Sequence, residues 1–99
     1  MTINIAKSAQ QDLLEGFAFY EKQKEGLGDY FLNILFSDID ELLDTAGMYP
    51  LFFNYHRKLS RTFPFAIYYK VRDEMIYIYA ILDCRRKPSW IRQKIERLS

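Results

Sequence analysis

The sequence predicts an α+β fold: a small, mainly antiparallel β-sheet packed against an N-terminal α-helical hairpin. Three observations support this. Apolar residues recur at spacings of three and four over the first half, and the pattern changes to alternation between residues 55 and 82. Strands and helices are also segregated along the chain, in the order β-α-α-β-β-β-α, instead of alternating as parallel sheets require.

Residues 3–6 (INIA) read as a short opening strand. Ser8 and Gln11 have capping-box spacing and predict a helix start. Leu13, Phe17 and Tyr20 form the apolar stripe of that helix, with Asp12, Glu15, Glu21 and Lys22 off it and Gly26 as its end. After the short Leu27-Gly28-Asp29 link, Phe31, Leu35, Ile39, Leu42 and Ala46 mark a second helix stopped by Gly47, with Asp38, Asp40, Glu41 and Asp44 placed mostly on its other faces. A link this short folds two helices back on each other.

Pro50 interrupts the next stretch, so residues 48–54 read as a connection and residues 55–60 as a strand. In that strand Tyr55, Arg57 and Leu59 alternate with His56, Lys58 and Ser60. Phe63-Pro64 makes a corner, and Phe65, Ile67, Tyr69 and Val71 then alternate with Ala66, Tyr68 and Lys70. Arg72-Asp73-Glu74 is a hairpin turn into MIYIYAIL (75–82), which is apolar on both faces and therefore central. Pro88 suits the first turn of a final helix whose apolar edge is Ile91, Ile95 and Leu98.

At 99 residues and 49% apolar composition the chain (1–99) reads as one domain with a core of its own. The single cysteine cannot form an intrachain disulfide, the N-terminus lacks a secretion-signal pattern, and the longest apolar run is too short to span a bilayer. The expectation is a soluble, cytoplasmic protein with no membrane association. The net charge of +1 conceals an asymmetry. Residues 1–54 hold three lysines against nine acids, a formal −6, and residues 55–99 hold eleven cations against four acids, a formal +7. The second half is thus expected to face a negatively charged partner.

His56 and Cys84 are the only residues of their kinds, with no obvious third group to orient the imidazole. They lack chelating spacing, so neither metal nor cofactor is expected, and the four glycines form no phosphate loop. Arg57, Lys58, Arg61, Lys70, Arg85, Arg86 and Lys87 form the more informative set, interleaved with Tyr55, Tyr68 and Tyr69. Guanidinium forks grip carboxylates or phosphates, and Tyr and Trp favour contact sites.

FPFAIYYKV (63–71), IYAILDCRRKPSW (78–90) and the front-end AQQDLLEGFAFYEKQKEGLGDYFL (9–32) together resemble the RelE/ParE superfamily of bacterial type II toxins, in particular its ParE-like, plasmid-stabilisation branch. The resemblance covers nearly the whole chain. It implies a RelE/ParE-like fold and a growth-inhibiting toxin neutralised by a cognate antitoxin. In such operons the antitoxin usually binds the DNA, so direct DNA binding by this chain alone is not expected.

The superfamily divides by target. RelE-like members cut mRNA on the ribosome, and the matching enzymatic reading here would use His56, Lys58, Arg61 and Arg85. Ala66 stands where the nuclease branch carries an arginine, and the late aromatic is Trp90, which is no practical acid or base. ParE-like members act on DNA gyrase by contact and need no acid–base set. The favoured expectation is therefore a non-enzymatic gyrase inhibitor whose partner-binding residues are Arg57, Lys58, Arg61, Arg85, Arg86, Lys87 and Trp90, with the ribosome-dependent endoribonuclease as the alternative.

Overall fold

The computed structural model describes residues 1–98. The chain forms β1 (Thr2–Ile5), α1 (Lys7–Gln23), α2 (Leu27–Asp40), a helical turn α3 (Leu42–Thr45) continued by a 3₁₀ turn (Ala46–Met48), β2 (Leu51–Phe52), β3 (Tyr55–Leu59), β4 (Phe65–Arg72), β5 (Met75–Asp83) and α4 (Pro88–Glu96). This is the expected α+β architecture with one strand more than the sequence indicated. The sheet runs β1-β5-β4-β3-β2, with β1 parallel to β5 and every other neighbour antiparallel. MIYIYAIL lies inside the sheet as expected, one place from the middle, which β4 occupies.

The unexpected strand is β2, within the stretch read as a connection. Phe53 and Asn54 both adopt positive φ, 54° and 71°, and close a two-residue hairpin between β2 and β3. Asn tolerates that conformation, but phenylalanine is uncommon in it, so propensity gave no warning. Asp73 and Glu74 close the β4–β5 hairpin in the same way, at 53° and 60°.

Both faces of the sheet are covered, which explains why β5 is apolar throughout. Phe65, Ile67, Tyr69, Ile76, Ile78 and Ile81 pack under the α1–α2 hairpin. On the other face Tyr55, Ala66, Tyr68, Ala80 and Leu82 pack with Ile95 of α4, flanked by Trp90, Ile91 and Leu98. Tyr68 pairs with Ala80 while Tyr69 pairs with Ile78, so Tyr79 is the extra residue of a bulge. The bulge explains how Ala80 and Leu82 share one face while Ile76 and Ile78 share the other.

The hairpin begins differently from the sequence expectation. Ala6, not Ser8, is the N-cap of α1, and no capping box forms. Ser8 lies within the first turn and its hydroxyl donates instead to the carbonyl of Tyr79, at 2.5 Å. Gly26 does adopt the left-handed conformation, φ 88°, but it caps the start of α2 after α1 has ended at Gln23. The helices approach closely: a Cβ at Gly28 would lie 2.8 Å from the Phe17 carbonyl oxygen, and one at Gly16 would lie 2.5 Å from the Phe31 ring. Phe31 is held in turn among Tyr20, Phe63 and Phe65, with ring centroids 5.0–5.2 Å away.

The second helix does not continue unbroken to Ala46. It stops at Asp40, and Gly47 falls inside the 3₁₀ turn without positive φ. The carbonyl of Asp38, close to the break, accepts a 2.8 Å hydrogen bond from Lys58 Nζ. The turn that follows is anchored to the sheet by Tyr69, whose hydroxyl donates to the Ala46 carbonyl at 2.5 Å.

β1 covers only the first part of β5, and α1 covers the next. Asp12 Oδ2 accepts the Ile81 amide at 2.9 Å, beside the Ser8 contact to Tyr79. Burial pushes the Asp12 carboxyl up to about 6; the Ile81 amide and Lys94 oppose this, and Glu15 adds to it. A pKa raised on folding means that the charged form burdens the native state. This contribution to stability is therefore lost as pH rises from the ordinary carboxylate range through about 6. Asp12→Asn keeps a carbonyl acceptor for Ile81 and removes the charge. The stability of the variant relative to the parent is expected to rise by about 1–2 kcal/mol between pH 4 and 7, after allowance for solvent screening. Urea denaturation at both pH values checks this, and a difference that does not change with pH contradicts it.

Candidate functional site

The sequence-predicted cations fall into three places. Alternation along β3 sends His56, Lys58 and Ser60 toward the helical hairpin and Arg57 toward the α4 side. The β5–α4 turn carries the rest.

On the hairpin side, Lys58 is only 3% exposed. Its ammonium donates to the Asp38 carbonyl and to Glu41 Oε1, at 2.8 and 2.7 Å. The Lys58 hydrogen bond comes first among the influences that hold the Glu41 carboxyl below its usual range, with burial opposing and the charges of Lys58 and Arg61 assisting. Asp38, fully buried, accepts Ser60 Oγ on Oδ2 at 2.6 Å, and Arg61 Nε lies 3.5 Å from Oδ1, close enough for attraction but not for a well-formed hydrogen bond. Arg61 itself is largely exposed, with a second contact to Glu41 at 3.4 Å. His56 stacks on Tyr69 with ring centroids 5.2 Å apart, and its Nδ1 is 2.8 Å from the Tyr49 carbonyl. Lys58 and Arg61 are thus tied to Asp38 and Glu41 at the end of α2, and His56 to Tyr49 and Tyr69.

Asp38 is a site residue that the sequence reading missed, and it corrects the placement of that residue off the apolar stripe. The signal was available: Asp38 follows Leu35 by three and precedes Leu42 by four, which puts it on the buried face.

On the α4 side, the Arg57 guanidinium lies over the Phe52 ring, 3.9 Å from its centroid, and Arg57 stands opposite Tyr68 in the β3–β4 register. Burial pushes the Tyr68 phenol up, with hydrogen bonding and charge from Arg57 opposing. Arg57 Nε is buried without a hydrogen-bond partner among the described residues. Burial also pushes the Cys84 thiol up, against the charge of Arg57 and with that of Asp83. A thiol so shifted stays protonated near neutrality and is a poor nucleophile. His56 does not approach it: His56 pairs with Tyr69, whereas the Cys84 amide donates to the Pro64 carbonyl, five residues away along the chain and about 16 Å at the rise of a strand.

The third group is the turn DCRRKPSW. Asp83 Oδ1 accepts both the backbone amide and Nε of Arg85, at 2.9 and 3.0 Å, and Oδ2 accepts the Arg85 terminal nitrogen at 2.8 Å. Burial works against the Asp83 carboxylate, yet these bonds hold its pKa below its ordinary value. Arg86 lies over the Trp90 ring, 4.0 Å from the centroid, and Lys87 is the exposed N-cap of a helix that Pro88 opens. Arg85 therefore shapes the turn, while Arg86 and Lys87 present charge at the surface. Lys70 and Arg72 lie beside Tyr55 and Tyr77 on neighbouring strands, 4.5 and 5.3 Å from the ring centroids. No group of three His, Cys, Asp or Glu residues among the described residues is placed to hold a metal ion.

What this arrangement can do is bind anions over a broad surface. His56 and Lys58 lie on the opposite side of the sheet from Arg57, and Arg85 stands beyond the end of β5 near Phe19, 5.9 Å from that ring. They do not converge on one point.

No family model matches the chain, and no curated protein matches its sequence. Among solved structures, it is similar to a chain of the chromosomal ParDE TA system from P. aeruginosa, with a TM-score of 0.68 at 17% identity, covering 82% of this chain and 92% of that one. At that identity the likeness is one of fold.

Proposed function

We propose that this protein is the toxin component of a type II toxin–antitoxin system, held inactive by an acidic cognate antitoxin and acting by contact on DNA gyrase in the cytoplasm. The fold likeness to a ParDE chain supports the toxin–antitoxin part. The target rests on one observation: Lys58 is tied to the end of α2, and His56 to the Tyr49 carbonyl and the Tyr69 ring, on the other side of the sheet from Arg57, which favours contact over a reaction that must both move a proton and hold one phosphate. Protein contact needs no such constellation. The exposed Arg86 and Lys87, with Trp90 beside them, and the cations of the α4 side supply charge for either partner.

Induction of this chain in bacteria without antitoxin tests the reading by pulse labelling. Incorporation into DNA is expected to fall before incorporation into protein, and the purified chain is expected to inhibit supercoiling by gyrase. An earlier fall in protein synthesis, with cleaved mRNA on ribosomes, would replace this reading with the endoribonuclease. Arg57 and Arg85 would then be the first residues to substitute, because neither contacts the buried Lys58 site.

A further inference from the structure

The sheet ends in β1 on one side and β2 on the other, and the two edges are finished differently. In β1 the Thr2 amide, and beyond its end the Ala6 amide, donate to β5 carbonyls, so the peptide groups of Ile3 and Ile5 face outward. Gln10 Nε2 occupies the Ile5 carbonyl at 2.7 Å, and the exposed Lys7 stands just past the strand. Covering and charge of this kind keep an edge from pairing with another chain.

β2 carries neither device. The Pro50 carbonyl accepts the Arg57 amide, and Phe52 stands opposite Tyr55 next to the turn, so Leu51 between them directs its amide and carbonyl away from β3. Neither group has a backbone hydrogen-bond partner among the described residues. The amide that Pro50 lacks would point at β3, so the proline leaves the outer side open. Residues 45–55 are also the longest stretch of the chain without a charged side chain. The next longest, 30–37, 62–69 and 75–82, run through α2, β4 and β5 and supply the core. Here instead Met48, Leu51 and Phe53 are 76, 62 and 47% exposed.

We propose that β2 is a pairing edge for a second copy of this chain. Two β2 strands meet antiparallel about a two-fold axis at Leu51, each Leu51 amide donating to the Leu51 carbonyl of the other copy, with Met48 and Phe53 flanking the seam. A two-fold contact sets a patch against itself, so a charged patch would repel its own copy and this neutral one does not. An acidic tail or a cationic surface gains no charge attraction here, which separates this edge from the surfaces proposed for the antitoxin and the target. The pairing does not depend on the toxin reading.

So short a seam makes a weak dimer, with a Kd on the order of 0.1 mM. Sedimentation of the full chain from about 0.01 to 1 mM is expected to show the mass rising from one chain toward two. The rise should persist at high salt, because no charge pair supports it. Leu51→Lys should abolish it by placing like charges across the axis. Phe53→Asn should weaken it several-fold and yet unfold at a higher urea concentration than the parent, since asparagine suits the positive φ at this turn; its loss of pairing is then no loss of fold. In a mixture of labelled and unlabelled chains, NMR should detect the α-hydrogens of Pro50 and Phe52 from opposite copies in contact, as this register requires. A single-chain mass throughout, pairing that salt abolishes, undiminished pairing in both variants, or contacts between copies at another edge would each overturn the proposal.

Discussion

Replacing Lys58 with methionine is expected to destabilise the protein by about 1–3 kcal/mol, the usual cost of leaving a buried acceptor, here the Asp38 carbonyl, without its donor. Methionine fills much the same space, so the loss comes from electrostatics. The Asp38 carbonyl loses its ammonium donor and the half-exposed Glu41 its closest cation, while the Asp38 carboxylate keeps Ser60 Oγ and the more distant Arg61. A domain of this size has only about 5–15 kcal/mol of stability in total, so the loss is a substantial fraction of it and should lower the denaturation midpoint clearly. Urea denaturation of the two purified proteins measures the difference, and a value below about 1 kcal/mol would contradict the structural role. The result governs how toxicity data should be read. A Lys58 variant that loses toxicity reports on the fold, whereas Lys87→Gln, exposed on the β5–α4 turn, reports on the surface.

The second large effect concerns the proposed antitoxin. If its acidic tail meets the cations of the α4 side and the β5–α4 turn, the association constant should fall roughly tenfold or more between about 0.05 and 0.5 M salt, because screening shortens the reach of exposed charges from about 14 to 4 Å. Substituting both Arg86 and Lys87 with glutamate should weaken binding at low salt and flatten the salt dependence. The Arg85–Asp83 fork that shapes the turn is left intact by this change. Calorimetry at several salt concentrations checks both statements. An affinity independent of salt would place the antitoxin on an apolar surface instead.

The degree to which each element was legible depended on how local its causes were. α1, β4, β5 and α4 follow from periodicity, because their apolar residues all face one neighbouring layer or, in β4 and β5, two. β2 was not legible: two residues are too few for a pattern, Pro50 argues against a strand, and Phe53 is an improbable turn residue. The Ser8–Gln11 spacing matched a capping box, but β5 lies close enough for the Ser8 hydroxyl to bond the Tyr79 carbonyl, 71 residues away. That partner is absent from any local reading.

The candidate site divides in the same way. Alternation along β3 separates His56 and Lys58 from Arg57 without reference to any structure, and the excess of positive charge in residues 55–99 can be counted. Which side of β3 the helical hairpin would cover could not be counted. Once α2 packs there, Lys58 becomes a buried partner of Asp38 and Glu41, and Arg57 is left to the opposite face. Sequence alone therefore determined most of the elements, their segregation and the sign of the surface, because these depend on neighbours within a few residues. Tertiary structure decided which cations are structural and which meet a partner, because burial depends on segments that are twenty or more residues apart and meet only on folding.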